Sequence, residues 1–231
     1  MTTQEQTNLS NRLNVLRAGV LGANDGIVST AGLVLGVAAT TSVRAPIFTA
    51  GLAGLVAGAL SMAAGEYVSV STQRDTERAA LDLERTELAA DPEGELQELA
   101  EIYQAKGLTA DLARQVAEQL HEGDGALAAH AEAELGITLE HFVSPWNAAI
   151  TSALSFTIGS TLPLAAVLLT PPSWRSPVTF MAMLVALVVT GSVSARLGGS
   201  GRRRAVVRVV VGGALAMAAT YGIGRLVGGA L

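Results

Sequence analysis

The chain has 231 residues, of which half are hydrophobic and 15% are charged, and its mean hydropathy of +0.42 is typical of a membrane protein. It contains no cysteine, which excludes disulfides, thiolate metal sites and cysteine nucleophiles. Residues 72–142 hold 17 of the 20 acidic and 5 of the 15 basic residues, so their net charge is −12 and that of the remainder is +7. An acidic block of this kind argues against a nucleic-acid partner.

The N-terminal part predicts a polar tail followed by a first membrane span. Residues 1–11 are polar and lack the basic, apolar and small-residue pattern of a signal peptide, so we expect no secretory leader. Residues 16–40 carry only Asp25 as a charge after Arg17. At a rise of about 1.5 Å per residue they can cross a hydrocarbon core of about 30 Å, and we place the first transmembrane helix there.

A second predicted span passes directly into the acidic block. Pro46 stands where the start of a helix tolerates proline, and residues 47–70 carry only Glu66 as a charge. The charged pattern of residues 73–90 follows without any proline. The sequence therefore predicts one long helix that leaves the membrane and becomes the first element of an acidic domain.

The rest of the acidic block has the pattern of short amphipathic helices. Apolar residues recur at a spacing of three to four, which is typical of helices that pack on one another. Helix boundaries are predicted at Asp91-Pro92, Gly107, Glu122-Gly123-Asp124 and Leu135-Gly136. We therefore expect a small helical domain over residues 72–142.

Three further apolar segments follow the acidic block. They comprise residues 145–169, 178–197 and 205–231, with a tight turn at Pro171-Pro172 between the first two. The predicted fold is an all-α integral membrane protein with five transmembrane helices and a small cytoplasmic helical domain inserted between spans two and three. Its predicted parts are 1–71 (tail and spans one and two), 72–142 (acidic metal-binding domain) and 143–231 (spans three to five).

Basic residues near the ends of the spans predict the orientation in the membrane. One side collects nine arginines: Arg12, Arg17, Arg74, Arg78, Arg196, Arg202, Arg203, Arg204 and Arg208. The other side collects three: Arg44, Arg175 and Arg225. The first side is therefore predicted to be cytoplasmic, together with the N-terminus and the acidic domain.

Asp25 and Glu66 are the two acidic residues within the predicted spans. A charged side chain at the centre of a span costs roughly 2.5–3.5 kcal/mol on insertion scales, so each is a functional hypothesis. Glu66 lies near the cytoplasmic end of its span and could instead face interfacial water. Met62 lies one turn before Glu66 on the same helical face, although a single methionine on an apolar helix usually serves only in packing.

The acidic block also pairs acidic and imidazole side chains at helical spacing. The pairs are Glu84 with Glu87, Glu95 with Glu98, and His130 with Glu134. Like charges at this spacing destabilise a helix, and a divalent cation would offset the repulsion. Carboxylates with at most one imidazole suit Fe²⁺ and Mn²⁺, whereas the absence of cysteine disfavours Cu⁺. Spacing alone does not distinguish a metal site from a solvated acidic face.

Two motifs and the acidic insert together resemble the vacuolar iron transporter family. The motifs are Asn24-Asp25-Gly26-Ile27-Val28 in the first span and Ser61-Met62-Ala63-Ala64-Gly65-Glu66-Tyr67-Val68-Ser69-Val70 at the end of the second. The resemblance extends from about Leu16 into the fifth span, and the intact insert separates the chain from branches of the family that lack it. It implies a five-span homodimer in the lipid bilayer that moves Fe²⁺, and often Mn²⁺ or other divalent metals, out of the cytosol in exchange for protons.

The resemblance also implies roles for individual residues. Asp25 and Met62 would line the translocation path at the dimer interface, with Glu66 near its cytoplasmic mouth. Family members bind metal in the cytoplasmic domain through glutamates matched here by Glu84, Glu87, Glu95, Glu98 and Glu134. His130 and Ala131 stand where methionines are expected, so one thioether is replaced by an imidazole and the other is lost. This is compatible with a metal site but leaves its ion preference open.

The predicted function is export of a divalent metal by proton antiport, with no enzymatic activity and no permanently bound cofactor. The alternative is a membrane-anchored metal-binding or metal-sensing protein without transport, for which an acid deep in the first span has no use. An intramembrane hydrolase is disfavoured because all histidines fall in the acidic insert and no Gly-x-Ser-x-Gly motif is present.

The use of 14 arginines against one lysine, with abundant Ala and Gly, is typical of a GC-rich bacterium. In a bacterium the membrane would be the plasma membrane and the role would be efflux.

Overall fold

The computed structural model describes residues 3–139 and 143–228, where all regular secondary structure is helical. The α-helices are α1 (Thr3–Thr40), α2 (Arg44–Ala90), α3 (Pro92–Ala105), α4 (Ala110–His121), α5 (Ala126–Ala133), α6 (Pro145–Leu169), α7 (Arg175–Leu197) and α8 (Arg202–Gly228). Single turns of 3₁₀-helix at Gly123–Gly125 and Pro172–Trp174 precede α5 and α7. The predicted end of the acidic domain at residue 142 and that of the fifth span at residue 231 lie outside the described residues.

Five of these helices are long and apolar enough to cross a membrane: α1, α2, α6, α7 and α8. The prediction of an all-α membrane protein is therefore confirmed. The N-terminal tail differs from the prediction, because α1 begins at Thr3 rather than near residue 16. The polar residues before Leu16 include neither glycine nor proline, so nothing in them interrupts the helix.

The chain forms two compact units. One contains the segments Met1–Ser69 and Ser144–Leu231, and the other is Val70–Val143. Helix α2 contributes to both, and it runs unbroken for 47 residues as the proline-free sequence predicted.

In the first unit, α1 packs against α6, α7 and α8. The contact with α6 is close, because a Cβ atom on Gly26 would overlap the carbonyl oxygen of Phe156 and one on Gly159 would overlap that of Ala23. The Ser160 hydroxyl donates a 3.2 Å hydrogen bond to the Gly26 carbonyl across the same contact. Small residues here allow two helix backbones to approach closely.

A buried arginine joins two connections at one end of this unit. The Arg175 side chain is 3% exposed, and its Nη1 donates to the Ser42 carbonyl at 2.8 Å while its Nε donates to the Thr170 carbonyl at 3.3 Å. Ser42 follows α1 and Thr170 follows α6. The guanidinium therefore satisfies the C-cap carbonyl of α6 and a carbonyl in the connection between α1 and α2.

The second unit is organised by local helix boundaries. The Asp91 carboxylate accepts a 3.0 Å hydrogen bond from the Gly94 amide and caps α3, with Pro92 in the first turn. Gly107 and Gly136 have positive φ values of 104° and 66° after α3 and α5, a conformation that glycine adopts readily. Leu99, Ala100 and Ala117 form the buried core between α3 and α4, and α5 packs against it.

Candidate functional site

Three helices of the second unit bring two carboxylates and an imidazole together. Glu84 comes from α2, Glu95 from α3 and His130 from α5. His130 Nδ1 lies 3.0 Å from Oε1 of Glu84 and 3.5 Å from Oε2 of Glu95, and one ligand atom from each residue lies within 4.8 Å of the others. We refer to these three residues as the acidic-unit cluster.

Local structure directs each of these side chains inward. Glu84 follows Leu81 by three residues, so both lie on the buried face of α2. The Asp91 cap begins α3 just before Glu95, which places this residue in the first turn. Helix α5 buries His130 and its neighbour Ala131 completely.

Two members of the cluster, His130 and Glu84, are buried and have polar atoms without hydrogen bonds. The His130 side chain is 0% exposed and that of Glu84 is 3% exposed. Within the described residues, neither ring nitrogen of His130 nor Oε1 of Glu84 has a hydrogen-bond partner. A buried polar atom without a partner costs about 1–3 kcal/mol. Ligand atoms that are directed at one shared cation would lie this close together without the geometry of a hydrogen bond.

Burial and mutual repulsion set the protonation of the cluster. Burial, reinforced by the charges of Glu134, Glu95 and Glu87, raises the pKa of Glu84 to about 7. Burial also raises the pKa of Glu95. Because His130 is a base, burial lowers its pKa, and the nearby His121 lowers it further. At neutral pH His130 is therefore uncharged, and Glu84 is divided between its acid and its carboxylate.

The other predicted ligands surround the cluster at different depths. Glu134 lies beside Glu84, and a hydrogen bond from the protonated Glu84 carboxyl to Glu134 contributes to the raised pKa of Glu84. Glu87 and Glu98 are exposed, although their charges contribute to the raised pKa of Glu95. The structure thus joins Glu84, Glu95 and His130 directly, with Glu134 beside them and the remaining two at the edge.

This donor set is suited to a borderline divalent cation. Carboxylate oxygens favour Mn²⁺ and similar hard ions, while imidazole suits Fe²⁺, Zn²⁺ and Ni²⁺. Ala131 supplies no ligand. Three protein ligands also leave coordination positions for water or for Glu134.

Sequence reasoning did not identify a second histidine next to the cluster. The His121 ring lies edge-on to that of His130, with 5.6 Å between the centroids. Its Nδ1 is also buried without a hydrogen-bond partner in the described part of the chain. His121 ends α4 and His130 lies within α5, so their spacing in sequence crosses a helix break and carries no periodic signal.

The three residues predicted for a translocation path lie in the first unit. Glu66 on α2 is 7% exposed, and its Oε2 is 3.2 Å from the Nη2 of Arg17 on α1. Met62 is half-buried one turn earlier on α2, and Asp25 is exposed on α1 in the single chain. The ion pair with Arg17 was also missed by sequence reasoning, since its partners are 49 residues apart.

Comparisons with known proteins agree on one family. The model of the VIT family matches residues 16–225. The chain is 45% identical over 212 residues to a vacuolar iron transporter of Acanthamoeba castellanii, covering 91% of the chain and 78% of that protein. It is 39% identical over 218 residues to vacuolar iron transporter homolog 1 of Oryza sativa subsp. japonica (94% and 75% covered). It is 36% identical over 228 residues to vacuolar iron transporter homolog 2.1 of Arabidopsis thaliana (98% and 88% covered).

Proposed function

The chain belongs to the VIT family, and from this premise we propose that it transports a divalent metal ion across the membrane, exporting Fe²⁺ from the cytosol, with Mn²⁺ as a second substrate. The observation that carries the proposal is the buried acidic-unit cluster in a chain with five apolar helices. A membrane protein that binds a cation in a water-accessible unit has a means of selecting ions before they enter the bilayer. No enzymatic step is part of the proposed cycle.

In this function the acidic unit captures ions through Glu84, Glu95 and His130, supported by Glu134. Glu87 and Glu98 would increase the local concentration of cations, because their exposed carboxylates add negative charge at the edge of the cluster. The excess of arginines at one side of the spans supports a cytoplasmic position for this unit, in which case the direction would be export. In a bacterium, the membrane would be the plasma membrane.

The ion would then cross along Asp25, Met62 and Glu66. Asp25 is exposed on α1 of the single chain, so a homodimer that covers this face would give the carboxylate a buried setting. An intramembrane acid is costly in contact with lipid and is expected to face a cavity or a partner instead. We therefore include a homodimer in the proposed function.

Exchange of metal for protons follows from the chemistry of carboxylates. A bound cation lowers the pKa of its ligands and expels their protons. Glu84, whose pKa is about 7, would release part of a proton when metal binds at neutral pH. Protons and metal ions thus compete for the same groups, which is the basis of antiport.

The proposal is tested by reconstituting the full chain in proteoliposomes and measuring Fe²⁺ or Mn²⁺ flux with and without a pH gradient. We expect flux that increases with an opposing proton gradient and that Asp25→Ala abolishes. Glu101→Gln is the matched control, because Glu101 is an exposed acid on α3 outside the cluster. Flux that is independent of the gradient would exclude antiport, and flux that survives in Asp25→Ala would exclude the proposed path.

A membrane-anchored metal sensor is the second candidate, because all three cluster residues lie within the second unit. Such a protein would bind metal with the same affinity in the wild type and in Asp25→Ala but would show no flux in either. The same proteoliposomes, assayed for bound and transported metal, separate the two functions.

A further inference from the structure

We propose that Arg17 is a tethered cation that holds the Glu66 carboxylate between transport events and leaves it only when a divalent metal ion takes its place. The proposal rests on the proposed function, in which Glu66 belongs to the ion path. Arg17 would act through Glu66 rather than by touching the ion, and so it is a positioning residue.

The ion pair is a single contact between two helices. Arg17 Nη2 on α1 lies 3.2 Å from Glu66 Oε2 on α2. In the described part of the chain neither side chain has another hydrogen bond or ion pair. The pair is therefore not bidentate, the arrangement that makes arginine–carboxylate pairs strongest, and Oε1 of Glu66 remains available to an incoming ion.

The two partners differ strongly in exposure. The Arg17 side chain is 55% exposed, whereas that of Glu66 is 7% exposed. An exposed guanidinium regains hydration when it leaves, so its departure costs little. A buried carboxylate left without a counter-ion is strongly destabilised. The ion pair therefore does not dissociate readily by itself, but another cation can replace Arg17 at the Glu66 carboxylate.

This asymmetry gives Arg17 a kinetic role. While paired, it competes with the metal and weakens metal binding at Glu66. After exchange, its return displaces the metal and speeds release. A divalent ion competes for the carboxylate better than a monovalent one, because Coulomb attraction scales with the charge. Arg17 thus favours release and divalent selectivity at the expense of affinity.

The first test measures Mn²⁺ flux through the full chain in proteoliposomes and separates KM from kcat. For Arg17→Gln we expect KM to fall by up to about fivefold and kcat to fall with it, because removal of a competitor of this exposure is worth about that factor. Arg17→Lys retains the charge and should keep KM near the wild-type value. Arg196→Gln is the control, since Arg196 is an exposed arginine in the last turn of α7. An unchanged or raised KM in Arg17→Gln would overturn the proposal.

The absence of cysteine allows a second test on a protein with one thiol. Arg17→Cys should show the same low KM as Arg17→Gln. Reaction of this cysteine with aminoethyl methanethiosulfonate adds a positive charge and should raise KM towards the wild-type value. Reaction with methyl methanethiosulfonate adds no charge and should leave KM low. Equal effects of both reagents would show that bulk rather than charge matters, against the proposal.

A binding measurement separates this proposal from the proposed function. The shift in melting temperature caused by Mn²⁺ should be larger in Arg17→Gln than in the wild type, and the excess should disappear in Arg17→Gln/Glu66→Gln. The acidic-unit cluster is the same in all three proteins, so it cancels in the comparison. Wild-type protein without flux would overturn transport alone. A Mn²⁺-induced shift in Arg17→Gln no larger than in the wild type, or an excess that persists in the double variant, would overturn the role of Arg17 alone.

Discussion

His130 Nδ1 lies 3.0 Å from Oε1 of Glu84, although α5 and α2 carry these residues 46 positions apart in the sequence. Both atoms are buried and, within the described residues, neither makes a hydrogen bond. When Glu84 is ionised and Nδ1 of His130 carries no proton, two lone pairs lie close together. A cation between them would convert that repulsion into coordination.

Replacing the imidazole should weaken metal binding. We expect His130→Ala to lower the affinity for Mn²⁺ or Zn²⁺ by at least about tenfold. A loss of this size is already typical when a residue that only hydrogen-bonds to a metal ligand is replaced. Calorimetric titration of the purified full chain measures the change. Glu101→Gln is the control, since Glu101 is exposed and pairs with Gln97 rather than with the cluster. Equal affinities in wild type and His130→Ala would show that the imidazole is not a ligand.

Metal binding should tighten as the pH rises through about 7. Burial raises the pKa of Glu84 to about 7, so below this pH a metal ion must displace a proton from it. Titrations in buffers of different ionisation enthalpy should show protons released on binding near neutral pH, and Glu84→Gln should reduce that number. A proton release equal in the wild type and in Glu84→Gln would contradict the assignment.

Without metal, the stability of the acidic unit should fall as the pH rises from about 4.5 to about 7. The pKa of Glu84 is raised from 4.5 to about 7 in the folded protein, so in this window the folded state binds more protons than the unfolded state. Stability then decreases with pH by linkage. Hydrogen exchange of the α3–α5 amides, corrected for intrinsic rates, measures the change, and Glu84→Gln should flatten it. A wild-type profile as flat as that of the variant would refute the expectation.

The close contact between α1 and α6 should make one glycine essential and leave another replaceable. A Cβ atom on Gly26 would overlap the Phe156 backbone, whereas one on Gly36 meets nothing within 4 Å. We expect Gly26→Ala to lower the melting temperature of the detergent-solubilised protein and Gly36→Ala to leave it unchanged or raise it slightly, since alanine is the better helix former by about 1 kcal/mol. Equal melting temperatures for the two variants would mean that α1 and α6 are not packed this closely.

The sequence by itself determined the helices of this protein, because their signals are local. Apolar length identified five spans, the proline-free run before Ala90 identified the long α2, and Asp91-Pro92 and Gly107 marked the boundaries of α3. The start of α1 was the exception. Polarity suggested a tail before residue 16, while the absence of a helix breaker allowed the helix to begin at Thr3.

Only the tertiary structure decided which polar side chains meet. Glu84 and Glu87 are equivalent by spacing, yet Glu84 is buried beside His130 of α5, whereas Glu87 is exposed. The same holds for Arg17 and Glu66, which are 49 residues apart and paired only because α1 and α2 bring them together. Helix periodicity fixes the face on which a residue lies, but the partner of that face depends on long-range packing, which no local pattern in the chain encodes.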